Sequence, residues 1–371
     1  MYHKKQLFIV ITLIVITIIS ACQAHRKPNE EVQKFEIHRG LNTSHWLSQT
    51  EIRGQERVQY MQEKDFAKIA EMGFDHVRIP IDEEQMWDER GFKHTEAFAL
   101  LHQGIKWALK YDLKVIVDLH VLRSHHFNYD NDQLWKDPEA QAKFWSFWEQ
   151  LSEELSKYPN HLLAYELMNE AVADDSEDWN KLIAKGIETV REREPLRTII
   201  IGSNRWQMVY TFPELKIPEN DTNLILSFHF YEPFIISHYQ VWWNDLKDFD
   251  GTINYPGLIT DSSDFSKYPS ATQEILKEQN GIYNKEIMTE KISVAIDYAK
   301  KRNLKLYCGE FGCYPSTPME LRKLIYRDWI AMFEENNIAW AHWNYKNDFP
   351  VVEAETLEAI TPITDILIPT K

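Results

Sequence analysis

The sequence predicts an α/β protein of the (β/α)8 TIM-barrel class, and three observations carry that expectation. Short apolar runs alternate with longer amphipathic ones from Phe35 onward. Many of the short runs are continuously apolar, as parallel strands covered on both faces require. The runs number eight, and helical patterns separate most of them, which suits a closed barrel.

Strand one is FEIHRGLN (Phe35 to Asn42), and KDFAKIAEMG follows as a helix whose Gly73 suits a C-terminal cap. HVRIP (His76 to Pro80) is strand two. TEAFALLHQGIKWALKYD leads to strand three, KVIVDLH (Lys114 to His120). PEAQAKFWSFWEQLSEELSKY leads to strand four, LLAYELMNE (Leu162 to Glu170), and WNKLIAKGIETVRERE to strand five, TIIIG (Thr198 to Gly202). Trp145 and Trp148 have the i, i+3 spacing of helix residues packed on the barrel. The crossover after strand five is the weakest, since FPEL is at most a turn. Strand six is LILSFHFY (Leu224 to Tyr231). A helix from about Glu286 to Arg302 precedes strand seven, LKLYCGE (Leu304 to Glu310). PMELRKLIYRDWIAMFEENN precedes strand eight, IAWAHW (Ile338 to Trp343), and TLEAITPITDIL can close the fold.

One connection is long. From Glu232 to about Asn284 there is little helical periodicity, yet Tyr239, Trp242, Trp243 and Tyr255 lie within it. Loops of this length are functional or disordered, and the aromatics favour an ordered loop over a cleft.

The chain has 371 residues, a formal net charge of −16 and 13% aromatics. The acidic balance argues against a nucleic-acid partner. Residues 1–21 read as a targeting segment, with Lys4 and Lys5 before the apolar run Leu7 to Ile19. That run is shorter than the ~20 residues of a spanning helix. ISAC resembles the lipobox of bacterial lipoproteins, which implies acylation of Cys22, a polar tether over 22–34, and a catalytic domain over 35–371. The expected location is therefore extracytoplasmic, lipid-anchored to a bacterial membrane at the periplasmic face or the cell surface. Cys308 and Cys313 could pair in that compartment, but two small buried residues beside a strand end is the plainer reading.

The stretch LYCGEFGC places Glu310 at the end of an apolar strand, where burying a carboxylate is costly. Catalytic residues of a barrel sit at such C-terminal strand ends. The polar residues there are Asn42, Arg78, His120, Asn169, Glu170, His229, Tyr231 and Glu310, with Trp343 beside them. Glu170 after strand four and Glu310 after strand seven can face each other across the mouth. Paired carboxyls suit glycoside hydrolysis, in which one is protonated and the other ionised. Arg78 and Tyr231 offer partners that hold a carboxylate ionised, and His229 and Asn169 offer partners for the acid.

The pieces RGLN, HVRIP, VIVDLH, ELMNE, HFY, CGEFG and Trp343 occur in one order along nearly all of the mature chain, which thereby resembles glycoside hydrolase family 5, the cellulase-like retaining enzymes. The resemblance implies Glu170 as general acid/base and Glu310 as nucleophile. It implies Arg78 and Tyr231 as supports of Glu310, and His229 beside Glu170. Asn169 would bond the sugar 2-hydroxyl, His120 would contact the same sugar and Trp343 would lie beneath it. The glycines around Glu310 would leave room for the sugar ring. The family often has Asn-Glu-Pro where this chain has Asn169-Glu170-Ala171, which puts the local loop in question.

Asn42 and Trp46 complete the expected substrate contacts, Trp46 either stacking on a sugar or packing inward. Glu166 reads as an ion-pair partner of Arg78, and Asp118 as a structural carboxylate beneath the site. His125 and His126 lack metal-ligand spacing. No GxSxG elbow or phosphate-binding glycine loop occurs. No metal or organic cofactor is implied, because two carboxyls suffice. The expected function is hydrolysis of a β-linked polysaccharide, a β-glucan first, with mannan, xylan-type or furanoside substrates as alternatives. Endo action is the default; exo action, transglycosylation and a non-catalytic carbohydrate-binding role are the other readings. Oligomeric state is not legible.

Overall fold

Parallel strands require crossovers, and the amphipathic segments supply them. In a computed structural model that describes residues 33–127 and 131–369, eight strands form a closed parallel barrel. They are β1 (Arg39–Asn42), β2 (His76–Asp82), β3 (Lys114–Val121), β4 (Leu163–Glu166), β5 (Ile199–Gly202), β6 (Leu224–His229), β7 (Lys305–Glu310) and β8 (Ala339–His342). Each strand pairs with the next in the chain, and β8 closes on β1 with Arg39 opposite Trp340. The targeting segment, most of the tether, and Cys22 lie outside the described residues.

Helices Glu63–Glu71, Thr95–Lys110, Pro138–Leu155, Ser176–Arg193, Lys285–Arg302 and Met319–Glu335 stand in the crossovers. Among the described residues, the connection after β5 carries no long helix, only the short turns Asn204–Gln207 and Val209–Glu214. Strand four is shorter than LLAYELMNE suggests: it ends at Glu166, and Leu167 to Glu170 continue as a loop over the barrel mouth. The long connection after β6 is ordered and, against expectation, holds a helix, Ser270–Gln279. That helix buries little more than Thr272 and Leu276, so its apolar signal in the sequence is weak. The connection also holds a short ribbon that pairs Gly257–Leu258 with Ile282–Tyr283.

Side chains alternate along a strand, so every second residue points into the barrel. One inner layer is apolar: Ile116, Ala164, Ile200, Ile225, Tyr307 and Ala341 pack together with Phe35 and Ile37. Two residues further along the same strands, the inward positions are Asp118, Glu166, Gly202, Ser227, Gly309 and Trp343. Strand periodicity thus places a polar layer directly on an apolar plug.

Cys308 and Cys313 are both buried free thiols. They donate to the carbonyls of Glu310 and Ile236, so the plainer reading holds.

The helix Lys285–Arg302 starts at Asn284, whose side chain accepts from the Ile287 amide at 2.9 Å. Asn284→Ala should lower unfolding free energy by about 1 kcal/mol in urea titration. An unchanged midpoint would show that water replaces this cap without loss.

Candidate active site

The polar layer is organised around one guanidinium. Arg78 rises from β2 and is fully buried. Its Nε donates to Glu166 Oε2 at 2.6 Å, and Nη2 donates to Asn169 Oδ1 at 2.8 Å and lies 3.0 Å from Asp118 Oδ2. Its Nη1 donates to Glu310 Oε1 at 2.8 Å and to Asn42 Oδ1 at 3.0 Å. The planar fork of arginine lets one side chain reach β1, β3, β4 and β7 at once.

Glu310 ends β7 and also accepts from the Tyr231 hydroxyl at 3.0 Å. Burial raises the Tyr231 pKa well above the ordinary range, so the phenol remains a donor. Glu170 follows β4, and its Oε1 lies 2.7 Å from His229 Nδ1. Burial and the nearby Arg78 charge lower the His229 pKa well below its ordinary value, so this imidazole is neutral. Ligand atoms of Glu170, His229 and Glu310 all lie within 4.8 Å of one another.

The two carboxyls differ in environment. Burial raises the pKa of both; the Glu310 charge adds to the rise at Glu170, and Asp118 and Glu166 add to the rise at Glu310. Glu170 is raised well above the ordinary carboxyl range by burial and by the Glu310 charge. Glu310 is raised less, because Arg78 and the Tyr231 hydroxyl favour its ionised form. The proton of the pair therefore resides on Glu170.

His120 stacks on Trp343, with ring centroids 5.4 Å apart and planes 8° from parallel. Its Nδ1 is 2.7 Å from Asp118 Oδ2, and burial keeps the ring neutral. Nδ1 therefore carries the proton, leaving Nε2 a buried acceptor with no partner among the described residues. Asn169 is similar: Oδ1 is taken by Arg78, and Nδ2 is a buried donor without a partner. Both atoms are free to bond hydroxyls of a ligand.

Two expected substrate contacts fall elsewhere. Trp46 is fully buried; its indole N–H donates to the Arg57 carbonyl at 3.1 Å and its ring packs on Phe66. It presents no face to a sugar. Asn42 is buried too, with Oδ1 on Arg78 and Nδ2 donating to the Gly309 carbonyl at 3.0 Å. Its amide is spent holding β1 to β2 and β7. The glycines around Glu310 also serve differently from expectation. A Cβ on Gly309 would lie 2.9 Å from Ser227 Oγ, and one on Gly312 2.4 Å from the Trp343 carbonyl. They make room for the protein, not for a sugar ring.

Sequence reasoning missed Gln207. Arg205, Trp206 and Gln207 all adopt positive φ (53°, 59° and 55°), which costs non-glycine residues roughly 1–2 kcal/mol each. This turn sends the Gln207 side chain back into the mouth, where it meets Glu166, Ser227 and the Glu170 backbone. The only signal was Gly202, the side-chain-free end of β5. Further out, Tyr231 continues into a ring cluster: Phe349 lies 6.0 Å from it and Trp243 5.9 Å from Phe349. Trp243 and the more exposed Trp242 belong to the long connection.

The sequence pattern of the Cellulase family (glycosyl hydrolase family 5) matches residues 29–349. Endoglucanase C of Acetivibrio thermocellus is 30% identical over 334 residues, covering 88% of this chain and 97% of that protein. The chain belongs to glycosyl hydrolase family 5. Cellodextrinase A of Ruminococcus flavefaciens is 26% identical, covering 74% of this chain and 76% of its own. The Clostridial cellulose synthase subunit Z of Clostridioides difficile matches in structure with a TM-score of 0.72 at 27% identity, covering 90% of this chain and 100% of that one. As a family 5 member the protein is a retaining glycoside hydrolase.

Replacing Arg78 by Met should cost about 3–5 kcal/mol, because Asp118, Glu166 and Glu310 lose their shared countercharge. The loss should grow with pH. Without Arg78 these buried carboxyls hold protons that the unfolded chain has already released, so stability falls as pH rises through the carboxyl range and beyond. Urea titrations of R78M and parent at pH 5 and pH 8 test this. A pH-independent difference would show that the guanidinium is not the countercharge.

Proposed function

We propose that this family 5 hydrolase cleaves internal bonds of a β-glucan by double displacement, with Glu310 as nucleophile and Glu170 as acid/base. The observation that carries the assignment is the unequal surroundings of two carboxyls within 4.8 Å. Glu310, bonded by Arg78 and Tyr231, attacks the anomeric carbon as the carboxylate. Glu170, beside neutral His229, gives its proton to the departing oxygen. The covalent glycosyl-enzyme on Glu310 is then opened by a water whose proton passes to Glu170. Asn169 Nδ2 donates to the 2-hydroxyl of the reacting sugar, His120 Nε2 accepts from a hydroxyl of the same ring, and Trp343 lies beneath it. The unpartnered state of both polar atoms supports these roles.

A β-glucan is favoured by the endoglucanase and cellodextrinase relatives. Trp243, exposed on the long connection beyond Tyr231 and Phe349, favours a substrate longer than one sugar, because an exposed ring face suits stacking on a pyranose ring. We further propose that the enzyme works outside the cytoplasm, tethered by lipid on Cys22. Lys4 and Lys5, the apolar run to Ile19, and Ser20-Ala21 before the cysteine support this.

The mature chain with Cys22→Ser, incubated with β-glucans, mannans and xylans, should release soluble oligosaccharides of several lengths from a β-glucan. Glu310→Gln should abolish release, and Glu170→Gln should slow it by about 10²–10⁴-fold. Activity surviving Glu310→Gln would withdraw the nucleophile assignment, and a single short product would replace endo by exo action. In a bacterial host the full chain should sediment with membranes and incorporate labelled fatty acid, and Cys22→Ser should do neither. Equal partitioning of the two would remove the anchor.

A further inference from the structure

We propose that Gln207 is a positioning residue for proton transfer, holding the acid/base carboxyl through the backbone of Glu170. The inference rests on the acid/base assignment of Glu170 made above. Glu170 has φ +41°, a conformation that a side-chain-bearing residue keeps only when its surroundings hold it. Its amide donates to Gln207 Oε1 at 3.0 Å, and its carbonyl accepts from His125 Nε2 at 3.2 Å. The next carbonyl, of Ala171, accepts from the Trp206 amide at 3.2 Å. The peptides on both sides of Glu170 are thus clamped, partly by the left-handed turn Arg205 to Gln207. This clamp stands where the family often has proline after the glutamate.

The orientation of the Gln207 amide follows from its partners. A backbone N–H can only donate, so Oε1 must face Glu170. Nε2 then points to Ser227 Oγ at 2.9 Å and Glu166 Oε1 at 3.3 Å, both acceptors. The side chain is nearly fully buried, and its volume is reserved by Gly202, where a Cβ would lie 2.1 Å from Gln207 Cγ. Gln207 makes no hydrogen bond to Glu310, Arg78 or Tyr231, and it meets Arg78 only through Glu166 Oε1, a carboxylate that Arg78 also holds by its Nε bond to Oε2. Losing its amide leaves the Glu170 N–H buried without an acceptor and frees φ to relax, which turns the Cα–Cβ bond and moves the carboxyl. The nucleophile stays on Arg78 and Tyr231. Only steps in which Glu170 moves a proton should suffer.

The test is Gln207→Met, close in shape but unable to make these bonds, assayed on two aryl glycosides of the disaccharide that the parent releases. One carries 2,4-dinitrophenolate, which leaves without a proton; the other carries phenolate, which needs one. For Q207M, kcat/KM should fall about 10–100-fold on the phenyl glycoside and by less than about threefold on the dinitrophenyl glycoside. Azide should raise the dinitrophenyl kcat of Q207M and yield the β-glycosyl azide, since azide needs no general base. Equal losses on both substrates, or no loss on either, would overturn the proposal. Glu170→Gln runs in parallel. If it shows the split and the azide product while Q207M does not, the positioning role fails and the assignment of Glu170 stands. If Glu170→Gln itself shows no split, the assignment fails. Should Q207M lose its folded circular dichroism, Ser227→Ala, which releases the other end of the amide, must show the same split at smaller size, and equal losses there overturn the proposal as well.

Discussion

A single buried guanidinium is the constraint on which the site depends. Arg78 sits at the bottom of the mouth with carboxylates from three strands around it, Asp118, Glu166 and Glu310. Burying that many acids is tolerable only because one delocalised cation contacts them all and because His120, Gln207 and Tyr231 supply further hydrogen bonds to Asp118, Glu166 and Glu310. The arrangement leaves acid in excess of base, and burial together with the neighbouring Glu310 charge keeps a proton on Glu170. The same contact that stabilises the barrel mouth therefore separates Glu170 and Glu310 in protonation.

Around this centre the roles are distributed by which atom is already engaged. Asn42 has both ends of its amide bound to protein and acts as a brace. Asn169 has one end on Arg78 and the other unpartnered, so it is oriented by the charge network and available to a ligand. His120 repeats the pattern, with Asp118 fixing its tautomer and the opposite nitrogen turned outward. An amide and an imidazole thus each receive an orientation from a charged partner deeper in the barrel.

The backbone contributes where side chains cannot. Strand β4 stops at Glu166, and the chain runs on to Glu170 in a left-handed conformation that ordinary loops avoid. A second left-handed run at Arg205 to Gln207 meets it from the end of β5. Each would be unfavourable alone. Together they exchange hydrogen bonds and put an amide side chain into the space that Gly202 leaves open. Local strain is held by mutual contact, which is how a rigid site can be built on irregular chain.

Much of this was legible in the residues. Continuous apolar runs marked the strands, because parallel strands buried on both faces admit few polar positions. For the same reason Glu170 and Glu310 stood out, each a carboxylate where an apolar run ends. The helix Ser270–Gln279 was not legible, since it buries too few residues to impose a period on the sequence. Trp46 and Asn42 could not be placed, because a residue at or just past a strand end points to the mouth or to the core according to its neighbours. Gln207 was invisible for a deeper reason: its role depends on two distant loops meeting, and nothing local encodes that meeting. Sequence alone determined which apolar runs form the barrel and which carboxyls stand where those runs end, since periodicity and burial are properties of short segments. Tertiary structure alone decided which polar atoms are spent inside the protein and which remain for a substrate, because that depends on who stands beside whom across the ring.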